Sequence, residues 1–296
     1  MYKYLNIFII YLLLSCQSTA YSQVNESKIN QWQDSLAHLG QAVFSSLSEP
    51  QRIEKNFTFV KTLVSALKEK KSFTFSFDRL TMISIVNSPD NKFRIFSWNV
   101  PLDDGSFLYY GAIQFNNPDG TLKLTPLLDK TFEIEHINED ITSPEVWYGA
   151  QYYSIIKLSE NSYALLGWKG HHKDYTIKVI EILDLMDSGK LQFGKNVFTE
   201  NPQMSRKIFH YTSQASMYLH YNEDLKRIEF DHIVPADPKV KGNYKYYGPD
   251  LTFDAYQIEQ NELILKSDIE IKNPKRGDEN NYLAPDRNRI KKQSGF

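Results

Sequence analysis

The sequence predicts a mainly β protein of antiparallel strands (a sandwich, a barrel or a small propeller) with an N-terminal helical segment. Three observations predict it. The chain holds 19 Tyr, 18 Phe and 4 Trp, and Tyr and Phe favour strands. Short runs of period-two alternation recur between turn-forming clusters. The helix pair is read before residue 71, and helices do not alternate with strands as a parallel α/β fold requires.

The elements follow in chain order. Residues 1–22 read as a signal peptide: Lys3, an almost wholly apolar run from Leu5 to Leu14, then the small-x-small end Ala20-Tyr21-Ser22. Leu13-Leu14-Ser15-Cys16 offers a second reading, a lipobox that would anchor the chain to a membrane through lipidated Cys16. Residues 23–72 form the helical segment. Ile29, Trp32, Leu36, Leu39, Val43 and Leu47 recur at helical spacing. Ser48-Glu49-Pro50 restarts a helix, whose expected apolar stripe is Ile53, Phe57, Val60, Leu63, Val64 and Leu67.

Residues 73–272 form the β-rich domain. Phe73, Phe75 and Phe77 alternate with polar residues as a strand. Strands Phe93–Trp98 and Phe107–Phe115 flank the turn Asp103-Asp104-Gly105, and Asn116–Gly120 is a further turn. Tyr152–Leu158 and Tyr163–Trp168 read as a hairpin, as do Ser216–Tyr221 with Arg227–Asp231, and Thr252–Ile258 with Glu262–Leu265. Thr176–Leu185 suits a strand, although its apolar spacing also fits a helix. Residues 273–296 are polar and charged, the composition of a disordered tail.

Composition narrows the function. Cys16 is the single cysteine. Cleavage after Ser22 leaves none, which removes disulfides, thiol catalysis and cysteine-bound zinc. The net charge is −2, and loss of Lys3 with the signal makes it −3. No strongly basic region appears, so nucleic acid is not an expected partner. HExxH, GxSxG, P-loop and dinucleotide motifs are all missing.

Three places can carry chemistry. Gly167-Trp168-Lys169-Gly170-His171-His172 reads as a loop with two glycines around a Trp. His171 and His172 are metal-ligand types, but neighbouring residues on a strand point to opposite faces, so an exposed hairpin turn is the plainer reading. Asp231 and His232 end a strand, where they would serve as a general base or metal ligands, or simply satisfy backbone groups. Asp250 and Asp254, after Tyr246-Tyr247-Gly248-Pro249, are hard-cation ligand types without EF-hand spacing. Trp168, Tyr246 and Tyr247 offer rings for stacking on a sugar or peptide. No cofactor is expected beyond a divalent metal at these groups.

Trp147-Tyr148-Gly149-Ala150-Gln151-Tyr152-Tyr153, Leu165-Leu166-Gly167-Trp168, Gln214-Ala215-Ser216-Met217, Phe230-Asp231-His232 and Tyr247-Gly248-Pro249-Asp250 resemble segments of a family of secreted proteins of Bacteroidota-type bacteria. The resemblance spans most of residues 73–273. It implies export and brings no assigned activity or catalytic residue. The expectation is an exported, non-enzymatic module that binds a ligand or partner in the cell envelope. The alternative is an exported hydrolase, metal-assisted through His171, His172, Asp231, His232 and Asp250.

Overall fold

The computed structural model of the chain describes residues 28–45, 47–170 and 173–271. The expected signal peptide, Cys16, His171, His172 and the polar tail lie outside the described residues. The chain folds as three antiparallel sheets with two helices at the N-terminal end.

The helices are α1 (28–43) and α2 (Glu49–Leu67). Ser48 opens α2 as expected: Gln51 Oε1 accepts from its N–H at 3.1 Å and from its hydroxyl at 2.9 Å. The buried stripe of α2 is rotated from the expected one. It runs through Arg52, Asn56, Phe59, Leu63, Ala66 and Leu67, while Phe57 is exposed. Two polar residues set this phase. Arg52 donates to Pro101 O at 3.0 Å and to Asp103 at 2.6 Å. Asn56 Oδ1 accepts the indole N–H of buried Trp98 at 2.8 Å.

The first sheet is a meander of β1 (Ser84–Asn87), β2 (Phe93–Pro101), β3 (Phe107–Phe115) and β4 (Lys123–Leu128). The second holds β5 (Gln151–Lys157), β6 (Ser162–Gly170) and β7 (Tyr175–Leu185); β7 pairs at one end with β8 (Leu191–Phe193) and at the other with β9 (Lys207–Thr212). The third is a meander of β10 (Leu219–Asn222), β11 (Arg227–Pro235), β12 (Tyr247–Glu259) and β13 (Glu262–Lys266). Each sheet ends in open edges, so of the expected β architectures the closed barrel is set aside.

The layers stack in chain order. The helices cover the first sheet through Phe59, Leu63, Phe96 and Trp98. Phe93, Ile95 and Ile113 pack against Tyr163, Leu165 and Val179 of the second sheet. On its other face, Ala164, Leu166, Ile180 and Ile182 meet Ile228, Phe230 and Tyr256 of the third. β2 and β6 are therefore buried on both faces; β6 reflects it in a nearly continuous apolar run, whereas β2 carries buried Arg94, Ser97 and Asn99 among its apolar residues.

The expected strand at Phe73, Phe75 and Phe77 is absent; Ser72–Thr74 is a 3-10 turn, and Phe77 has φ +57°. Buried Arg94 explains the difference. Its guanidinium donates to Phe75 O at 2.6 Å and Ser72 O at 2.8 Å. It lies 4.8 to 5.5 Å from the rings of Phe73, Phe77 and Phe96. The rings of Phe73 and Phe77 join Phe96 of β2 around one cation, and the Phe75 carbonyl accepts from it, instead of the three alternating along a strand.

Gly167 to Gly170 is not a loop but the end of β6. A Cβ on Gly170 would stand 2.5 Å from the Phe107 ring, so close packing accounts for this glycine. Between the two glycines, Lys169 is buried. Its ammonium donates to Thr131 Oγ1 at 2.9 Å, Tyr148 O at 2.5 Å and Gly149 O at 2.7 Å.

Candidate functional site

Four of the residues singled out by sequence, Asp231, His232, Tyr247 and Asp254, line one groove of about 500 Å³ between β9 and the β11–β12 ribbon. Phe209 and Phe230, 4.9 Å apart between centroids, belong to the core at its base.

A register shift positions the polar wall. Asp231 opposes Phe253 and Ile233 opposes Pro249, so His232 faces the three-residue stretch 250–252. Such bulges re-aim side chains and are common beside functional sites. Leu251, at φ +75° and 88% exposed, sits in this stretch. A leucine held there in the left-handed region is a local strain.

His232 Nδ1 lies 2.7 Å from Asp254 Oδ2. A carboxylate only accepts, so Nδ1 carries the proton and the Nε2 of the neutral ring remains an acceptor. Asp254 is fixed in turn, because Oδ1 accepts the Asp268 N–H at 3.0 Å. Asp231 does not orient the imidazole. Its Oδ2 accepts the Tyr218 N–H at 2.5 Å, and burial pushes its carboxyl above the usual range. Asp250 accepts from the Thr252 hydroxyl at 2.7 Å and N–H at 3.0 Å, contacts that hold its carboxyl below the ordinary value. It closes a local turn.

The aromatic wall adds to Tyr247 two residues the sequence reading passed over, His210 and Tyr244. His210 of β9 and Tyr244 stack with centroids 4.0 Å apart and planes at 11°. Tyr247 meets Tyr244 edge-on at 5.3 Å. A short turn over Tyr244–Tyr246 places Tyr244, and the Tyr247 hydroxyl accepts the Gly242 N–H at 2.9 Å. Tyr246 is 45% exposed and is not part of the lining; its ring lies 4.8 Å from the Lys245 ammonium. The Tyr-Lys-Tyr-Tyr run was the available signal, but only the fold distinguishes the lining tyrosines from the outward one.

Trp168 lines a different cavity, of about 450 Å³, with Phe107, Lys173, Lys178, Tyr211 and Met217. The two cavities lie on either side of the Met217–Tyr218 backbone: Met217 O accepts from Lys178 at 2.6 Å, and Tyr218 N–H donates to Asp231.

Among the described residues, no three His, Cys, Asp or Glu side chains are grouped to hold a metal ion. His232 and Asp254 form a pair, with Asp231 and Asp250 each tied to another partner. Comparison with family models, curated proteins and solved structures finds no match for this chain.

Proposed function

We propose that the protein is exported to the cell envelope and binds a saccharide, without transforming it, in the groove between β9 and β11–β12. The observation that carries the reading is the His210–Tyr244 stack with Tyr247 edge-on, in one groove with the His232–Asp254 pair. Aromatic faces suit the apolar C–H face of a sugar ring. Polar groups of the lining such as His232 Nε2, Asp231 and Asn138 suit its hydroxyls. Residues 1–22, with their apolar run and Ala20-Tyr21-Ser22 end, support the address. Calorimetric titration with a panel of neutral oligosaccharides tests it. Binding by the wild type, reduced about tenfold or more in Tyr244→Ala and Tyr247→Ala, is expected. Unchanged binding in both variants overturns it.

A second reading rests on one specific observation. An imidazole with Nδ1 on a carboxylate and Nε2 available is the arrangement of a general base. An exported hydrolase would use His232 to take a proton from water, with or without a divalent metal nearby. Reducing ends released from an oligosaccharide by the wild type, but not by His232→Gln, would favour this reading. Suppression by a chelator would add the metal.

A further inference from the structure

We propose that the cavity beside Trp168 is a second ligand site, and that it takes an acidic sugar whose ring stacks on the indole and whose carboxylate meets the Lys178 ammonium. The groove plays no part in this inference.

The charge of the lining is the first argument. Among the described residues, Lys173 and Lys178 are its charged lining residues, and no carboxylate lines it. The groove across the Met217–Tyr218 backbone differs, with Asp231 and Asp254 on its walls beside Lys207. Asp231, whose charge acts on Lys178, belongs to that groove.

The placement of Lys178 is the second. It lies opposite Trp168 in the β6–β7 register, so both side chains share one face of the second sheet. The ammonium is half-buried and donates to Met217 O at 2.6 Å. It also lies 5.5 Å from the Tyr153 ring. An ammonium has three donors, so this carbonyl leaves donors for a ligand. Burial lowers its pKa from the ordinary lysine value, and an incoming anion would offset that cost.

The third is the shape and polarity of the rest. Trp168 meets Phe107 edge-on at 5.6 Å and 74°, a corner that fixes the indole plane. Thr176 and Ser216 add hydroxyls, and the volume falls within the range of small-molecule sites. Among the described residues, the lining has neither an Arg fork nor a helix N-terminus, the usual devices for phosphate. A carboxylate is the anion this set matches.

The test is a titration of the full chain with galacturonate and with galactose, followed by indole fluorescence and calorimetry. Galacturonate is expected to bind saturably, at least about tenfold tighter than galactose, and to weaken as salt rises. Lys178→Gln keeps an N–H for Met217 O and removes the charge; it should lose that preference. Lys173→Ala, at an exposed turn, should weaken galacturonate in the same direction and serves if Lys178→Gln does not fold. Tyr247→Ala should leave galacturonate binding unchanged, which separates this site from the groove. Equal binding of the two sugars, undiminished galacturonate binding without the lysine charge, or no saturable binding would overturn the proposal.

Discussion

Arg206 Nε stands 2.9 Å from Glu181 Oε1, and neither side chain reaches solvent. The pair lies within the sheet stack, beside a core otherwise built from aromatic and aliphatic residues. Arg206 also donates to Ile137 O at 2.5 Å and Asp140 O at 2.9 Å, so it ties the 137–140 loop to β7. A buried ion pair costs much of its attraction in desolvation, whereas an orphaned partner is severely penalised. Glu181→Leu and Arg206→Met should each destabilise by about 3–5 kcal/mol. The double variant should recover a substantial part of their summed loss. Urea unfolding of the four proteins checks this, and simple additivity would refute it.

Lys169 gives a pH signature. Burial lowers its pKa to about 8, with Asp129 and Glu181 pulling partly back. The unfolded chain holds that proton more tightly, up to about pH 10.4. Stability from this group is therefore present above the unfolded value and is lost as pH falls through about 8. Relative to Lys169→Met, the wild type should gain about 2–3 kcal/mol between pH 7 and 10. A difference that stays flat over this window contradicts the assignment.

Asp90 should act in acid. Burial opposes its ionisation, but hydrogen bonds from Tyr163, Lys157 and Ser88 and from the Lys92 backbone outweigh it and hold the carboxyl at about 2. Its contribution is complete above the unfolded value and is lost as pH falls through about 2. Asp90→Asn should cost about 1–2 kcal/mol at pH 6, and the gap should narrow from pH 4 downward. Denaturant midpoints at pH 6, 4 and 3 measure it.

Arg94 should act locally. Burial pulls its guanidinium down to about 9, yet it still joins the Ser72–Phe75 turn to Gln114 of β3. Arg94→Leu leaves those acceptors unpaired and should cost about 3 kcal/mol or more. Hydrogen exchange should quicken first at residues 72–77. Uniform acceleration across all three sheets would show that the cation does not specifically hold this turn.

These particulars show what could be read from the chain. Phe107–Phe115 and the Asp103–Gly105 turn were legible because alternation and turn chemistry are local. β9 was not, since Lys207–Thr212 lacks a bounding signal and pairs with β7 from a distance. The phase of α2 was hidden because hydrophobic spacing cannot foresee that Arg52 and Asn56 have buried partners. In the site, Asp231, His232, Tyr247 and Asp254 were each identifiable by type. Their convergence depends on the shifted β11–β12 register, and the facing aromatic wall needs His210 from another sheet.

The central claim is that the β9/β11–β12 groove holds a saccharide and leaves it intact. Aromatic and imidazole NMR of the full chain, recorded while titrating the neutral oligosaccharide panel, tests it most directly. The account predicts saturable shifts concentrated on Tyr244, Tyr247, His210 and His232, with the oligosaccharide signals unchanged after prolonged incubation. Shifts located elsewhere, no shifts with any member of the panel, or new reducing-end signals would contradict it.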